Sequence, residues 1–377
     1  MPLPSRSFQN RVTWQAPIQL PPFQPLRRIT PTSYLELKRC LLKGMLASMR
    51  IRQCLPISLQ ARLGRVVHKL LCARSCGGIR VGDFEKAWKS AVLQEEQDML
   101  ASETERHLVP IEKNAYDYYL KKIRCKNLVE KNRSTFAYTL PPNDAYFSES
   151  WLETEDGLVG GYPDAIVRTG NGDIIIDYKT SELNCGGLMD EKIEDYATQI
   201  KLYAALFHSK FDLWPSALYI VGINGSLVKI EFDEFECMQL LRDAKNLLHK
   251  INLMVRNLKN ANDSAKMLAS PSNQNCKYCG YRPMCTAYVS KRSESSWGAP
   301  WPYDAFGTID EIRTLGNGSL RLKIKPLLND KTVFIRGIQI SRHAALRLDR
   351  NCYFFNLVPD AVDGSFTQGI YTTIYCP

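Results

Sequence analysis

Two neighbouring apolar segments of β type constrain this 377-residue chain most strongly, because each of them delivers one acidic residue. Asp164 lies near the middle of residues 158–168, and three consecutive isoleucines precede Asp177. Residues i and i+2 of a strand point to the same face, so Asp177 and Lys179 share one side of their strand. If the two segments pair as a hairpin around residues 170–172, the two aspartates approach each other.

Two adjacent carboxylates without a cationic partner repel each other, and proteins commonly use such pairs to hold a divalent cation. A lysine beside that cation can orient a water molecule or stabilise the charge on a phosphate. These groups are what metal-assisted phosphodiester hydrolysis requires. Considered alone, an Asp-x-Lys triplet is more often the solvated face of an edge strand, so the interpretation depends on the surrounding motifs.

Other motifs flank the two aspartates along the chain. In order they are Cys40, Gly64-x-x-x-His68, Gly161-x-x-Asp164, Asp177-x-Lys179, Gln199-x-x-x-Tyr203 and Cys276-x2-Cys279-x5-Cys285. Together they resemble the RecB-type branch of the PD-(D/E)XK nucleases, and their order is similar to that of the CRISPR-adaptation and AddB-type nucleases. The resemblance extends from Thr30 to Tyr288. It implies an α/β, restriction-endonuclease-like core with a helical N-terminal part.

The resemblance implies a metal site built from four or five residues. Asp164 and Asp177 would bind Mg2+ or Mn2+, assisted by His68 and by the backbone carbonyl group of Tyr178. Glu149 would bind the same ion or a second one. An isolated histidine on an apolar helix is often a core residue instead, so the assignment of His68 depends on its phase with the rest of its motif.

The resemblance also implies the residues that act on the substrate. Lys179 would position or polarise the attacking water and offset the charge of the scissile phosphate. Gln199 and Tyr203 lie four residues apart on one face of a predicted helix, and would order the lysine or the phosphate. Tyr203 is equally compatible with a core position, since tyrosine has an apolar body and a polar tip.

The cysteine-rich segment near residue 280 indicates a second site. The spacing Cys276-x2-Cys279-x5-Cys285 supplies three thiolates, and a set of four suits either zinc or an iron–sulfur cluster. The resemblance implies a [4Fe-4S] cluster that takes Cys40, on a helix capped by residues 32–33, as its fourth ligand. The eight other cysteines, three of them alternative fourth ligands (Cys54, Cys72, Cys76), are expected to be reduced thiols: Cys54, Cys72, Cys76, Cys125, Cys185, Cys237, Cys352 and Cys376.

Apolar periodicity predicts the elements of this core. Helices are expected over residues 58–72, 84–107, 110–132, 190–209 and 235–258. Strands are expected over residues 145–154, 158–168, 173–180, 216–223 and 226–232. The core order is strand, strand, strand, helix, strand, strand, after a mainly helical N-terminal stretch.

The remaining segments complete a predicted division into four parts. Residues 1–30 are proline-rich and are expected to form an extended arm, with a disordered tail as the alternative. Residues 31–289 are the predicted nuclease domain, and residues 290–302 are a predicted linker. Residues 303–377 contain five strand-like segments that suit a small, OB-like β-barrel. Its cations and aromatic residues would line a nucleic-acid groove, and a module for protein contacts is an equally good interpretation.

Charge and composition narrow the class of protein. The chain carries 49 basic and 39 acidic residues, a net charge of +10, which favours a polyanionic partner such as DNA. It contains no run of about 18 apolar residues and no signal-peptide pattern, so we expect a soluble cytoplasmic protein. No helicase phosphate loop is present, so any unwinding motor would be a separate chain.

These observations predict a metal-dependent DNA nuclease with an iron–sulfur cluster. The resemblance favours an exonuclease that acts on single strands or DNA ends in repair, recombination or defence. The alternative is a DNA-binding or structural subunit of a larger nucleoprotein complex, with little cleavage of its own. That alternative leaves the intact Asp-x-Lys pair without a purpose, and metal dependence of cleavage distinguishes the two.

Overall fold

The computed structural model describes residues 15–75, 78–80, 82–135, 146–147, 150–183, 191–258, 261–295, 301–326, 332–343, 346–360 and 365–377. They form two compact units. The first unit is Phe23–Leu258, and the second comprises residues 1–22 and 259–377. This division falls before the cysteine-rich segment, whereas the sequence motifs group residues 259–289 with the predicted nuclease domain.

A five-stranded mixed sheet is the centre of the first unit. The strands of this unit are β1 (Tyr146–Phe147), β2 (Leu152–Glu153), β3 (Gly160–Gly161), β4 (Ala165–Thr169), β5 (Gly172–Lys179), β6 (Ala217–Gly222) and β7 (Leu227–Ile230). The main sheet has the order β1-β4-β5-β6-β7, in which only β5 and β6 are parallel. The predicted β4–β5 hairpin is confirmed, and Gly172 follows its turn at a φ of 109°.

The predicted strand over residues 158–168 is wrong in one respect, because the chain interrupts it. β3 pairs with β2 in a separate two-stranded sheet, and the chain bends at Asp164 before β4 begins. Pro163 has no amide hydrogen to donate, so strand pairing does not continue through it. Asp164 therefore lies at the entrance to β4 rather than in the middle of a strand.

Helices surround this sheet. They are α1 (Pro31–Arg39), α2 (Leu41–Ser48), α3 (Leu59–Ser75), α4 (Phe84–Leu100), α5 (Ile111–Asn114), α6 (Tyr118–Thr135), α7 (Glu191–Phe211) and α8 (Glu234–Arg256). α3, α7 and α8 match their predicted segments closely, whereas α4 ends at Leu100 instead of continuing to residue 107. Among the described residues, no helix combines the length and apolar character that crossing a bilayer requires.

Helix α1 begins earlier than its sequence pattern suggests. Thr30 is the N-cap and Ser33 reciprocates as the third helical residue, with Pro31 at the first helical position, whose amide hydrogen is not needed. Cys40 was expected on a helix, and this prediction is wrong. Its backbone is extended (φ −153°, ψ 106°), and it separates α1 from α2.

The core of the first unit lies between the sheet and helices α7 and α8. Ile175 of β5 and Leu218 of β6 pack with Ile200 and Leu206 of α7 and with Leu241 of α8, all of them buried. The segment before α1 joins this core, because Ile29 is fully buried and forms a parallel bridge with Val159. Every second residue of β5 thus faces α7, including Asp177 and Lys179.

The second unit contains a closed five-stranded barrel. Its strands are β8 (Ala305–Thr314), β9 (Leu320–Pro326), β10 (Val333–Ile338), β11 (Asn351–Pro359) and β12 (Ser365–Tyr375), joined in the order β10-β12-β11-β8-β9. β10 and β12 are parallel, and all other neighbours are antiparallel. The predicted five strands are confirmed. The predicted helical piece at residues 343–348 is not seen in its described part, and a short 3-10 turn at Ile340–Arg342 precedes it.

The cysteine-rich segment precedes this barrel. It contains α9 (Ala261–Leu268), α10 (Asn273–Cys276), a 3-10 turn at Arg282–Met284 and α11 (Thr286–Glu294). α11 extends into the predicted linker because Tyr288, Val289 and Arg292 are buried along it. Tertiary burial therefore sustains a helix where the sequence shows little periodicity.

Two cysteines that were expected to be reduced form a disulfide instead. Cys352 and Cys376 are bonded, with their Cα atoms 4.3 Å apart. They are brought together by the antiparallel pairing of β11 and β12, in which Tyr353 lies opposite Tyr375. The next pair along this register is Cys352 with Cys376, and cross-strand neighbours at this distance are close enough to bond.

Candidate active site

Asp164 and Asp177 lie close together at one end of the β4–β5 hairpin. Ala165 pairs with Ile176; Asp164 directly precedes this pair, Asp177 directly follows it, and the negative charge of Asp164 acts on Asp177. The Oδ2 atom of Asp164 accepts a hydrogen bond of 2.7 Å from the backbone N–H of Tyr178. This bond ties the bend before β4 to the strand that carries Asp177.

Asp177 is a buried carboxylate, only 3% exposed. Burial, followed by the negative charge of Asp164, raises the pKa of Asp177 from 3.8 to about 6. Its Oδ2 atom lies 2.5 Å from Nζ of Lys179, yet this ion pair is not aligned as a hydrogen bond, and Oδ2 has no hydrogen-bond partner among the described residues. A buried acceptor oxygen beside a second carboxylate is an arrangement that a divalent cation would stabilise.

Helix α7 positions Lys179. The Nζ atom of Lys179 donates a 2.9 Å hydrogen bond to Oε1 of Gln199 and lies 4.3 Å from the ring centre of Tyr196. The Gln199 amide in turn donates to Oγ1 of Thr32, at 3.3 Å. Lys179 is thus held by a carboxylate on its own strand and by two residues of the facing helix. Sequence reasoning placed Gln199 here and did not identify Tyr196.

Tyr203 lies one helical turn after Gln199. It packs in the core with its ring and directs its hydroxyl group towards the residues that hold Lys179. It is 3% exposed and belongs to the core of the first unit, while its hydroxyl group interacts with Thr32 and Gln199. Burial is the largest cause of the raised pKa of Tyr203, and the charges of Asp164 and Asp177 act in the same direction. The hydroxyl group therefore remains protonated and able to donate a hydrogen bond.

The histidine motif begins with a glycine, Gly64, because α3 packs closely against the end of β5 at this position. A Cβ atom at Gly64 would lie 3.0 Å from Oγ1 of Thr180, which directly follows β5. The absent side chain lets α3 approach the end of the strand closely. One turn later, Nε2 of His68 lies 2.9 Å from Oδ1 of Asp164. This hydrogen bond, followed by the contact with the thiol of Cys72, raises the pKa of His68 to about 11.

Cys72 is a site residue that sequence reasoning missed, having weighed it only as a rival ligand for the cysteine cluster. Its Sγ atom lies 3.7 Å from Nδ1 of His68, one turn along α3. One ligand atom from each of His68, Cys72 and Asp164 lies within 4.8 Å of the other two. The i, i+4 spacing of His68 and Cys72 was the available signal, since such residues share one helical face.

The donor set fits a divalent cation. Two carboxylates, an imidazole and a backbone carbonyl group are ligands that Mg2+ or Mn2+ accepts, and the pKa of Asp177 is raised even though Lys179 forms an ion pair with it. Glu149, the fifth predicted ligand, lies outside the described residues.

A buried arginine, Arg282, organises the backbone of the loop that carries the three cysteines. Cys276 and Cys285 are buried and Cys279 is partly exposed. Arg282 donates hydrogen bonds to the carbonyl oxygens of Cys276 (2.9 Å), Cys279 (3.2 Å) and Lys277 (3.3 Å). The Cys-x2-Cys loop is therefore shaped by a cation at its centre. Cys40 belongs to the first unit, and its assignment to the same cluster stays a prediction from the sequence.

Comparison with known proteins gives a clear family match. Residues 28–286 match the family model described as the PD-(D/E)XK nuclease superfamily. Among solved structures, the crystal structure of SSO0001 shares 16% sequence identity with this chain. The match covers 46% of this chain and 92% of that chain. Its TM-score of 0.18 is too low to support a structural comparison. No curated protein matches the sequence.

Proposed function

The chain belongs to the PD-(D/E)XK nuclease superfamily, and from this premise we propose that its first unit hydrolyses DNA phosphodiester bonds with a divalent cation. One observation carries the proposal. The buried carboxylate of Asp177 lies close to Asp164, whose charge raises its pKa, and forms an ion pair with the amine of Lys179. Burying one carboxylate beside a second one costs folding free energy, which binding of a divalent cation would offset.

Each polar residue has a distinct task in this proposal. Asp164, Asp177, His68 and the carbonyl group of Tyr178 would hold Mg2+ or Mn2+, and Glu149 would add a ligand to this ion or a second one. The bound ion would act as a Lewis acid on the phosphate and lower the pKa of a water molecule. Orienting the attacking water and positioning the phosphate are proposed as tasks of the protein's own side chains.

Lys179 is the residue that would contact the reacting atoms. Gln199 and Tyr196 hold its amine at the edge of the carboxylate pair, where it can orient the attacking water and offset charge on the phosphate. Tyr203 supports this arrangement from the core, through its interactions with Thr32 and Gln199. Gln199 and Tyr203 are therefore proposed as residues that position the lysine.

We further propose that Cys276, Cys279 and Cys285, with Cys40 as the fourth thiolate, bind a [4Fe-4S] cluster of structural role. The spacing of the three cysteines supports a metal site in this segment, and Arg282 organises the loop through the backbone carbonyl groups of Cys276 and Cys279. Zinc is the other metal that suits four thiolates. The family resemblance favours the cluster.

The substrate is proposed to be single-stranded DNA or DNA ends, degraded by an exonuclease in repair, recombination or defence. A helicase or other subunit would be supplied by a separate chain. The net charge of +10 supports a polyanionic substrate. It supports equally a DNA-binding subunit with little cleavage, which the experiment below separates from a nuclease.

The test is a cleavage assay with the full chain, purified without oxygen. End-labelled single-stranded and duplex DNA are incubated with Mg2+, Mn2+ or EDTA. We expect metal-dependent degradation that Asp177→Ala and Lys179→Ala both abolish, with DNA binding in EDTA retained by Lys179→Ala. Lys229→Ala, which removes an exposed lysine of the same unit, is the matched control. DNA binding without metal-dependent cleavage by the parent protein would favour the binding subunit.

A further inference from the structure

The outer surface of β8, β9 and β10 carries a row of cations and one aromatic ring. On β9, Leu320, Leu322 and Ile324 fill the barrel core, so Arg321, Lys323 and Lys325 point outward. The outward residues of the neighbouring strands extend this row. We call the surface formed by Arg313, Arg321, Lys323, Lys325, Phe334 and Arg336 the barrel face.

Like charges lie opposite each other at one end of the barrel face. Arg313 of β8 pairs in register with Arg321 of β9. Like charges in directly opposite positions destabilise a sheet, so this pairing contributes nothing to folding by itself. A bound phosphate beside Arg313 would offset this repulsion.

Some cations of the barrel face have carboxylate partners and others do not. Arg313 pairs with Glu311, Lys323 with Asp310 and Arg336 with Asp360. Arg321 and Lys325 have no ion pair with any described carboxylate. A net positive surface remains, and its two unpaired cations lie four residues apart on one strand.

Phe334 gives the barrel face a second kind of contact. It lies directly opposite Lys323, points away from the core and is only partly buried. The guanidinium group of Arg321 stacks over its ring, with Cζ 4.6 Å from the ring centre. An aromatic ring flanked by cations is the combination that single-stranded nucleic acids use, because bases stack on the ring while phosphates meet the charges.

The spacing of the cations also matches this partner. Successive outward-facing residues of a strand lie about 6.8 Å apart. Arg321, Lys323 and Lys325 therefore present charge at a repeat comparable with the phosphate spacing of an extended single strand. An acidic protein would not require an aromatic ring at this position or a regular repeat of charge.

We infer that the barrel face binds single-stranded DNA, with Phe334 and Arg321 contacting a base and Lys325, Lys323 and Arg313 contacting the phosphates. The strand order of the barrel agrees with this inference. Taken in chain order, the five strands close as 1-2-3-5-4 with strands 3 and 5 parallel, an OB-like arrangement whose strands 2 and 3 commonly bind oligonucleotides. The inference goes beyond cleavage, which is proposed for the other unit.

The test measures binding of fluorescein-labelled oligo(dT) to the full chain by anisotropy in EDTA, where metal-dependent cleavage does not interfere. We expect Phe334→Ala to weaken binding about tenfold and Phe334→Tyr to keep it, since both aromatic rings stack. Lys325→Ala should weaken binding and lower the slope of log K against log salt by about 0.7, the value for one phosphate contact to a single strand.

Lys291→Ala is the matched control. It removes an exposed cation of the same unit that lies on α11, outside the barrel, and it should change binding less than twofold. Equal losses for Lys325→Ala and Lys291→Ala, or unchanged binding by Phe334→Ala, would overturn the inference. Binding of poly-glutamate as tightly as oligo(dT) would instead identify an acidic protein as the partner. Cleavage is assayed separately in Mg2+, so its failure and the failure of this inference are distinguishable.

Discussion

At the scale of single residues, the carboxylate of Asp177 combines burial, a neighbouring negative charge and an oxygen without a hydrogen bond. Its folded-state pKa is raised above the ordinary value. The folded protein therefore binds this proton more tightly than the unfolded chain does, and the stabilisation is present at low pH and lost as pH rises through about 6. Above that pH, Asp177 is ionised in the metal-free protein, and burying its negative charge lowers the free energy of unfolding.

Asp177→Asn should separate stability from activity. The amide is nearly isosteric and carries no charge, so in EDTA at pH 8 we expect the variant to be about 1–3 kcal/mol more stable than the parent. The gain should shrink at pH 5, where the parent carboxylate is largely protonated, and cleavage should be lost. Urea unfolding at the two pH values measures the difference. Asp173→Asn, at the other end of β5, is the control and should show no such pH-dependent gain.

A lower stability of Asp177→Asn at pH 8 would contradict this expectation. It would mean that the lost ion pair with Lys179 outweighs the relief of the buried charge.

At the scale of elements, the site depends on how closely α3 approaches the end of β5. Gly64 makes this approach possible, and His68 follows it one turn later on the same helix. Helix α7 contributes from the other side, through Tyr196, Gln199 and Tyr203. The sheet supplies the two carboxylates, and the two helices determine what surrounds them.

Gly64→Ala should affect cleavage far more than folding. Alanine favours a helix by about 1 kcal/mol over glycine, which offsets part of the cost of its crowded Cβ atom. That atom would lie 3.0 Å from Oγ1 of Thr180 and displace α3, so His68 would no longer meet Asp164 correctly. We expect kcat/KM to fall by at least about tenfold with a nearly unchanged Tm.

The double variant Gly64→Ala/Thr180→Ala removes the clashing hydroxyl group and should recover most of the lost activity. The other atoms of Thr180 lie at 3.6 Å and 3.8 Å, which are ordinary contact distances. Full activity of the single variant would show that the close packing of α3 is not required.

At the scale of the whole molecule, each unit has its own buried organising centre. In the second unit, Arg282 joins the cysteine loop to the barrel. Its Nε atom donates to Oδ2 of Asp304 at 2.9 Å, and its other guanidinium nitrogens bond to Asn356 and to the cysteine-loop carbonyl groups. Tyr288 donates a further 2.6 Å hydrogen bond to Asp304. The cysteine-rich segment and the barrel should therefore unfold together.

Arg282→Met should couple the loss of metal to the loss of stability. It leaves the fully buried Asp304 without its counter-ion, a change that typically costs about 3–5 kcal/mol. We expect the amount of iron or zinc bound per chain and the free energy of unfolding both to fall in this variant. The same two losses are expected for Cys279→Ser. Metal analysis and urea unfolding of anaerobically purified protein measure both quantities. Lys277→Met, which removes an exposed cation of the same loop, is the control.

Wild-type metal content in Arg282→Met would show that the arginine does not shape the cysteine site. A Cys279→Ser protein as stable as the parent would show that the bound metal has no structural role.

Local patterns were sufficient to predict much of the fold. Alternation along β5 set Asp177 and Lys179 on one side, helical periodicity located α3, α7 and α8, and turn residues located the β4–β5 hairpin. These features depend on residues a few positions apart, and such short-range preferences are legible in one sequence.

The sequence by itself thus determined the chemistry available to this protein: which residues carry acids, amines, an imidazole and thiolates, and the element on which most of them lie. Only the tertiary structure decided which of them meet. The close approach of Gly64 to Thr180, the hydrogen bond between His68 and Asp164 and the Cys352–Cys376 disulfide each join distant segments through packing rather than sequence pattern. The burial that raises the pKa of Asp177 likewise comes from distant parts of the chain. Strand register and burial depend on the whole folded chain, and no local pattern contains them.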